Sequence, residues 1–156
     1  SQMGGIINLV RGVHVLVPRN MTKAAGFYNT LLQSDEPAIV VECLNGYRLK
    51  EKMPANSGDY KTPIGVVETI KEGTDITIVS YGSTLRIIEE AAKELQQVGI
   101  DIELIDVQSL LPFDINHDIV KSVAKTNRLM VIDEDVSGGA SAFILDKIRT
   151  SCGLIG

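Results

Sequence analysis

The side chains that could carry chemistry in this chain fall into a few short segments. Tyr81-Gly82-Ser83 follows a predicted strand and opens a predicted helix, where free backbone amides can bind phosphate. A Gly-Ser pair alone is neither a Walker loop nor a Gly-x-Gly-x-x-Gly fingerprint, so we favour a plain strand-to-helix turn capped by Ser83 or Thr84. Gly138-Gly139 could also seat an anion, but the acidic run before it would repel one, which favours close backbone packing.

That acidic run, Asp133-Glu134-Asp135, offers carboxylates for a hard cation or an acid–base pair. Neighbouring residues that leave a strand point in alternate directions, so we favour a solvated strand exit. His14 lies in an apolar strand, which indicates a satisfied core histidine, and His117 is expected to be exposed at a helix start. Neither has a nucleophile partner in a diagnostic motif. Tyr47-Arg48 could line a cleft or make a linker contact, and the residues favour neither.

The bulk composition excludes several classes of protein. The 156 residues, 44% of them hydrophobic, suit one ordinary domain or one small domain plus part of another. A net charge of −5 with dispersed Lys and Arg gives no basic face for nucleic acid. No apolar run approaches the ~20 residues that span a membrane. Cys43 and Cys152 lie far apart without ligand-spaced histidines, which favours a reducing cytoplasm over a disulfide or a zinc site.

The elements that must position these residues begin with one β–α–β unit. Residues 13–17 predict a strand, 22–33 a helix, and 38–42 a parallel strand buried on both faces. Such a unit has no further partner strands of its own and would leave an open sheet edge. The polar segment 44–63, which contains Gly and Pro, is predicted to be a linker.

Hydrophobic periodicity is stronger after the linker. Residues 75–80 predict a strand and 85–98 an amphipathic helix that Gly99 ends with a left-handed cap. Strands at 100–107 and 128–132 and helices near 115–125 and 140–149 follow, and residues 151–153 predict a stop. The apolar stripe of the helix at 85–98 is expected to be buried, so Leu95→Ala would cost about 2–5 kcal/mol. Its members are Leu85, Ile88, Ala92, Leu95 and Val98.

Several segments, taken in order, resemble the β subunits of 2-oxo acid dehydrogenases. Val13-His-Val-Leu-Val-Pro18, the helix start at 23–27 and Glu36-Pro-Ala-Ile-Val-Val-Glu42 with Tyr47-Arg48 are similar to the end of that family's pyrimidine-binding domain. The segments 63–65, 72–82, 105–114 and 126–134, with Gly138-Gly139, are similar to its transketolase-like C-terminal domain. Together they cover about residues 10–148.

The resemblance implies an α/β fold with three layers and a mostly parallel sheet. Residues 1–45 would be the end of the pyrimidine-binding domain, a partial β–α–β unit, and residues 46–63 a linker. Residues 64–156 would be a transketolase C-terminal-like domain, cut short at its end. Because the chain does not begin with Met, we expect it to be a piece of a longer protein.

The resemblance also implies thiamine diphosphate and magnesium in the whole enzyme, which would decarboxylate a 2-oxo acid oxidatively and transfer the acyl group to lipoyl groups. The family's catalytic Glu and His would lie upstream of Ser1. We therefore expect no catalytic or cofactor-binding residue, no bound cofactor and no activity in the isolated fragment. Leu31, Ser34 and Glu36 match the positions of a potassium site in some members, which makes them the candidate metal ligands.

The implied partners are an α subunit or α domain, a second β copy and a dihydrolipoyl acyltransferase core, and this part would serve dimerisation and docking. Neither nucleic acid nor a membrane is an expected partner. Two alternatives stay open. One is another transketolase-like enzyme, transketolase or a deoxyxylulose-phosphate synthase, which an Arg or His cluster at a cofactor channel would favour. The other is a non-catalytic α/β assembly module, with which the open edge and the low aromatic content are compatible.

Overall fold

A computed structural model describes residues 2–155, which form two β-sheets flanked by helices. The helices are α1 (Met3–Leu9), α2 (Met21–Leu31), α3 (Thr84–Gln97), α4 (Asp118–Thr126) and α5 (Ala140–Ile155). The strands are β1 (His14–Leu16), β2 (Ala38–Val40), β3 (Glu68–Lys71), β4 (Ile76–Ser80), β5 (Ile102–Asp106), β6 (Ser109–Leu111) and β7 (Leu129–Val131). A short 3-10 helix covers Leu44–Arg48. The predicted elements occur in the predicted order, whereas α1, β3 and β6 were not predicted.

The first sheet has the order β2-β1-β6. β1 and β2 are parallel, with His14 opposite Ala38, as the β–α–β pattern predicts. β6 comes from far along the chain and pairs antiparallel with β1. The β–α–β unit therefore gains one partner strand, β6 beside β1, that the sequence did not predict, while β2 remains an edge strand among the described residues, in line with the predicted open edge. The prediction that β2 is buried on both faces is wrong, because β2 is an edge strand and its three residues are only half-buried.

The second sheet has the order β3-β5-β4-β7. β4 runs parallel to both β5 and β7, and β3 joins antiparallel at the far side of β5. All five residues of β5 are buried, as expected for an inner strand with helices on both faces. The α/β class and the mostly parallel sheet are confirmed here, while the small first sheet is mixed.

Alternating side chains of β4 and β5 divide the helices between two layers. Ile78 and Leu104 point to one face, where they pack with α3. Val79 and Ile105 point to the other face and share a core with α4 and α5. The second sheet is thus the middle of the three layers that the sequence predicts.

The buried stripe of α3 is shorter than predicted. Leu85, Ile88 and Ala92 are buried, Leu95 is half-buried, and Val98 is 72% exposed. Because α3 ends at Gln97, Val98 lies in the turn before Gly99 and is not on the helix face. Gly99 has a φ of +83°, which confirms the left-handed cap.

The last helix is longer than predicted. α5 continues to Ile155, so the predicted stop at 151–153 is wrong. Gly153 has open space around it and takes a helical conformation, which costs about 1 kcal/mol relative to alanine but does not by itself end a helix.

One apolar core includes residues from both predicted domains, 1–45 and 64–156. It includes Met3, Ile7 and Val15 from the first part and Val79 and Ile144 from the second. The segment 46–63 also packs closely on α2. There, Thr62 is fully buried and donates a hydrogen bond to the Lys23 carbonyl at 3.2 Å. The two sheets are distinct, and the predicted boundaries at 45 and 63 stay predictions.

Candidate functional site

A crevice opens at the carboxyl ends of β4 and β7. The two strands are parallel neighbours, yet α3 follows β4 onto one face of the sheet and α5 follows β7 onto the other. Connections that diverge in this way leave a crevice, the usual ligand position in open α/β sheets. A cavity of about 330 Å³ lies there, bordered by Tyr81, Gly82 and Ser83 and by Cys43 and Glu134.

Gly82 makes the turn that leads from β4 into α3. Its φ is +64°, and a Cβ atom there would lie 3.2 Å from Val17 Cγ1 and 3.5 Å from Cys43 Sγ. The predicted strand-to-helix turn is confirmed, but the prediction that Ser83 caps the helix is wrong. Ser83 holds the N-cap position with helical backbone angles, φ −68° and ψ −23°, and makes no capping hydrogen bond. An N-cap hydroxyl reaches the first amides from an extended backbone, which Ser83 lacks.

Asp133 ties the end of β7 to the start of α5. Its Oδ1 accepts from the Tyr81 hydroxyl at 2.5 Å and from the Asp135 amide at 3.0 Å. Its Oδ2 accepts from the Ser141 amide at 3.0 Å. Burial, together with the hydrogen bond to Asp133, raises the pKa of the Tyr81 phenol. The interpretation of Asp133 as part of a solvated strand exit is therefore wrong, because the carboxylate is a structural acceptor.

Asp135 has a similar structural role toward α1. Its Oδ2 accepts from the Gly4 amide at 2.6 Å and from the Ala140 amide at 3.3 Å, and these bonds lower the pKa of the carboxyl group. A Cβ on Gly4 would lie 2.7 Å from Gly139 Cα, which confirms the prediction of close backbone packing at the glycine pair. Within the acidic run, Glu134 alone is exposed, as predicted.

Cys43 and Glu42 border the crevice, and neither side chain is activated for chemistry. Burial and the nearby charge of Glu134 raise the pKa of the Cys43 thiol, which disfavours a thiolate nucleophile. Glu42 accepts hydrogen bonds from the hydroxyls of Tyr28, at 2.5 Å, and Tyr47. The bond to Glu42 raises the pKa of Tyr28 to about 12. Tyr47 was predicted either to line a cleft or to make a linker contact. The structure shows a contact, the hydrogen bond to Glu42 just after β2.

A second group of polar residues joins the two sheets, and we call Arg19, Lys23, Glu68 and Asp106 the junction cluster. Arg19 Nη1 donates to Glu68 Oε2 and, at 2.9 Å, to Asp106 Oδ2. Lys23 Nζ lies 3.0 Å from the same Glu68 oxygen. Arg19 and Lys23 belong to the part of the chain around β1 and α2, whereas the two acids lie on β3 and β5.

Burial affects the charges of the junction cluster unequally. The Asp106 side chain is 0% exposed, and burial raises its pKa to about 6 despite the hydrogen bond from Arg19. Burial also acts on Glu68, but there the bonds from Arg19 and Lys23 prevail and lower the pKa. One signal of this cluster is present in the sequence and was not used: Asp106 ends a strand that is apolar apart from Glu103.

The predicted potassium ligands lie close together in the turn after α2. The Leu31 carbonyl accepts from the Ser34 amide at 2.9 Å, and Ser34 Oγ accepts from the Glu36 amide at 3.2 Å. The Glu36 carboxylate turns away to His14, with Oε2 2.6 Å from Nε2. Among the described residues, no group of three or more His, Cys, Asp or Glu could hold a metal ion. The potassium site stays a prediction.

The two histidines differ in part from expectation. The His14 side chain is 18% exposed and, as predicted, has a hydrogen-bonding partner, namely Glu36. His117 is half-buried and so not exposed as predicted. It precedes α4 at the N-cap position with a φ of +56°, and within the described part of the chain its Nδ1 has no hydrogen-bond partner.

The fold and the sequence both place the chain among transketolase-like proteins. The family model described as "Transketolase, C-terminal domain" matches residues 65–153, and the chain belongs to this family. A structure titled "Split gene transketolase, inactive beta4 tetramer" superposes over 93% of this chain and 47% of its own, with a TM-score of 0.71 and 23% identity. At that identity the likeness shows the fold alone.

The chain is also similar to curated β subunits of 2-oxo acid dehydrogenases and of an acetoin oxidoreductase. The pyruvate dehydrogenase E1 component subunit beta of Staphylococcus epidermidis is 36% identical over 135 residues, 86% of this chain and 41% of the relative. The mitochondrial 2-oxoisovalerate dehydrogenase subunit beta 2 of Arabidopsis thaliana is 36% identical over 146 residues, which are 92% of this chain and 40% of the relative. The acetoin:2,6-dichlorophenolindophenol oxidoreductase subunit beta of Bacillus subtilis is 30% identical over 148 residues, which are 92% of this chain and 42% of the relative. The predicted resemblance is confirmed, and the chain spans about 40% of the length of these relatives.

Proposed function

We propose that this chain is the assembly part of the β-type component of a thiamine-diphosphate-dependent 2-oxo acid dehydrogenase. The whole enzyme would be an oxidoreductase that decarboxylates a 2-oxo acid and passes the acyl group to lipoyl groups, with the cofactor supplying the carbanion chemistry. The observation that supports this best is the similarity to β subunits of pyruvate and 2-oxoisovalerate dehydrogenases, which extends over 135 and 146 residues at 36% identity. The relatives act on different substrates by name, so we propose the substrate class and not an individual acid.

The residues of the crevice do not fit thiamine diphosphate. The cofactor's diphosphate is negatively charged, and the crevice presents the carboxylates of Glu42 and Glu134 to it. The polar groups of the crevice are also engaged, because Asp133 caps α5 and Glu42 accepts from two tyrosines. We therefore derive no catalytic step from these residues and assign them to structure and assembly.

The proposed partners are an α subunit or α domain, a second β copy and a dihydrolipoyl acyltransferase core. Several large apolar side chains reach the surface, among them Leu9, Leu32 and Met53, which are 83%, 85% and 74% exposed. An apolar groove of about 330 Å³ also lies on the outer side of α2, bordered by Met21, Ala25 and Met53. Apolar surface of this kind is typical of protein contacts, which supports the role in assembly.

We also propose a cytoplasmic location, because both cysteines are free thiols as expected in a reducing compartment. Within residues 2–155, no helix has the length and apolar character needed to cross a membrane.

The alternative of a transketolase or a deoxyxylulose-phosphate synthase has weaker support. A mutant transketolase from Pichia stipitis superposes with a TM-score of 0.54, but the identity is only 16%. The relatives above 30% identity are named as dehydrogenase β subunits. The described residues that border the crevice include no cluster of Arg or His that would bind a sugar phosphate.

Two measurements on the purified 156-residue chain test the proposal. With thiamine diphosphate and Mg²⁺, we expect no decarboxylation of pyruvate or of branched-chain 2-oxo acids, and measurable turnover would overturn the assignment to assembly. In sedimentation velocity at tens of micromolar we expect concentration-dependent self-association. A strictly monomeric profile would count against a role in dimerisation.

A further inference from the structure

The junction cluster places two carboxylates on one guanidinium nitrogen. Arg19 Nη1 donates to both Glu68 and Asp106, and Lys23 supplies the only further cation within ion-pair distance among the described residues. The two acids belong to the second sheet, and the two cations belong to the first part of the chain. Any movement of β1 and α2 away from β3 and β5 must therefore break these ion pairs.

The four side chains of the junction cluster differ in their exposure to water. The Asp106 side chain is 0% exposed, Lys23 13%, Arg19 19% and Glu68 35%. The second oxygen of Asp106, Oδ1, accepts from the Gln108 amide at 3.0 Å. The titratable and charged groups that act on Asp106 are Arg19 after β1, Glu68 on β3 and Cys43 after β2. Lys23 on α2 pairs with Glu68. Arg86 on α3 borders a small cavity together with Arg19 and Cys43.

We propose that the junction cluster is a proton-sensitive clasp, in which uptake of one proton strengthens the hold of β1 and α2 on the second sheet. Two carboxylates that share one nitrogen repel each other, and a fully buried carboxylate also lacks hydration. A proton on Asp106 removes both costs, while Glu68 keeps its ion pairs with Arg19 and Lys23. When the clasp opens, both acids meet water and ionise without these costs.

The sign of the pH dependence follows from which acid holds the proton. Burial raises the pKa of Asp106 to about 6 in the closed clasp, against an ordinary value of 3.8. A group with a raised pKa takes up a proton on closing, so closing is favoured as pH falls from above 6 toward 4. From these two pKa values, closing is about tenfold more favourable at pH 5 than at pH 7.5.

Hydrogen exchange at the Val17 amide measures the opening of the clasp. This amide donates to the Gln108 carbonyl at 2.8 Å and so joins the end of β1 to the turn before β6. In the full chain, protection corrected for the intrinsic rate should be about tenfold higher at pH 5 than at pH 7.5. Asp106→Asn, which removes the titrating group, should abolish the difference.

Asp101→Asn is the matched control, because Asp101 lies just before β5, is 39% exposed and pairs with Lys71 at 2.7 Å. This control should keep the tenfold difference at Val17. Equal protection of the wild-type amide at both pH values would overturn the proposal, as would a difference that survives Asp106→Asn. If Asp106→Asn does not fold, the ¹³C resonance of the wild-type Asp106 carboxyl decides. A midpoint near 6 supports the clasp, and one below about 4.5 overturns it.

Discussion

Truncation of Leu85 tests how α3 holds the second sheet. Leu85 is fully buried and packs with Ile78 and Leu104 on one face of that sheet. Leu85→Ala removes three carbon atoms, worth about 2.4 kcal/mol at ~0.8 kcal/mol for each. A residual cavity of roughly 50 Å³ adds about 1 kcal/mol at ~24 cal/mol per Å³. We expect the free energy of unfolding to fall by about 3–4 kcal/mol.

Urea unfolding followed by circular dichroism measures this loss, and two residues at the opposite end of α3, Leu95 and Val98, serve as graded controls. Leu95 is half-buried, so Leu95→Ala should cost about 1–2 kcal/mol, less than the sequence alone predicts. Val98 is 72% exposed, so Val98→Ala should change the free energy by less than about 0.5 kcal/mol. For a chain of this size the Leu85 variant should melt about 6–16 °C lower. Equal costs for Leu85 and Val98 would refute the packing described for α3.

Three further substitutions test the contacts around the first sheet, within α5 and beside the crevice. Gly26→Ala would place a Cβ 2.2 Å from Thr62 Oγ1 and should cost about 1–3 kcal/mol in thermal unfolding. Gly153→Ala, which meets open space in α5, should instead stabilise by about 0.5–1 kcal/mol, and a similar loss at both glycines would contradict this account. Tyr81→Phe removes the hydroxyl that donates to Asp133 at 2.5 Å and should cost about 1–3 kcal/mol by urea unfolding. No measurable loss would show that Asp133 does not depend on this bond.

Local patterns in the sequence predict the unit β4-α3-β5 well. Its strands are apolar runs, and the stripe of α3 repeats at helical spacing, so neighbouring residues carry the whole signal. β6 has three residues and exists because it pairs with β1, about 95 positions earlier in the chain. α1 begins Met3-Gly4-Gly5, a poor helix sequence, and gains stability because Gly4 packs on Gly139 and bonds to Asp135.

The same distinction explains the candidate site. The turn at Gly82 and the close packing of Gly139 follow from local chemistry and were predicted. The hydrogen bond between Asp133 and Tyr81 and the ion pairs of the junction cluster depend on partners far along the chain. Arg19 lies 49 positions from Glu68 and 87 from Asp106. Periodicity contains no information on such pairs, and only the assembled sheets bring them together.

The central claim is that residues 2–155 supply assembly and not chemistry to a 2-oxo acid dehydrogenase. A hybrid subunit tests it most directly. In this hybrid, the matching 135 residues of the Staphylococcus epidermidis pyruvate dehydrogenase E1 β subunit are replaced by those of this chain. We predict that the hybrid binds the host α subunit and decarboxylates pyruvate with the host's substrate preference and its dependence on thiamine diphosphate. A folded hybrid that fails to bind the α subunit, or that binds it without turnover, would contradict the claim.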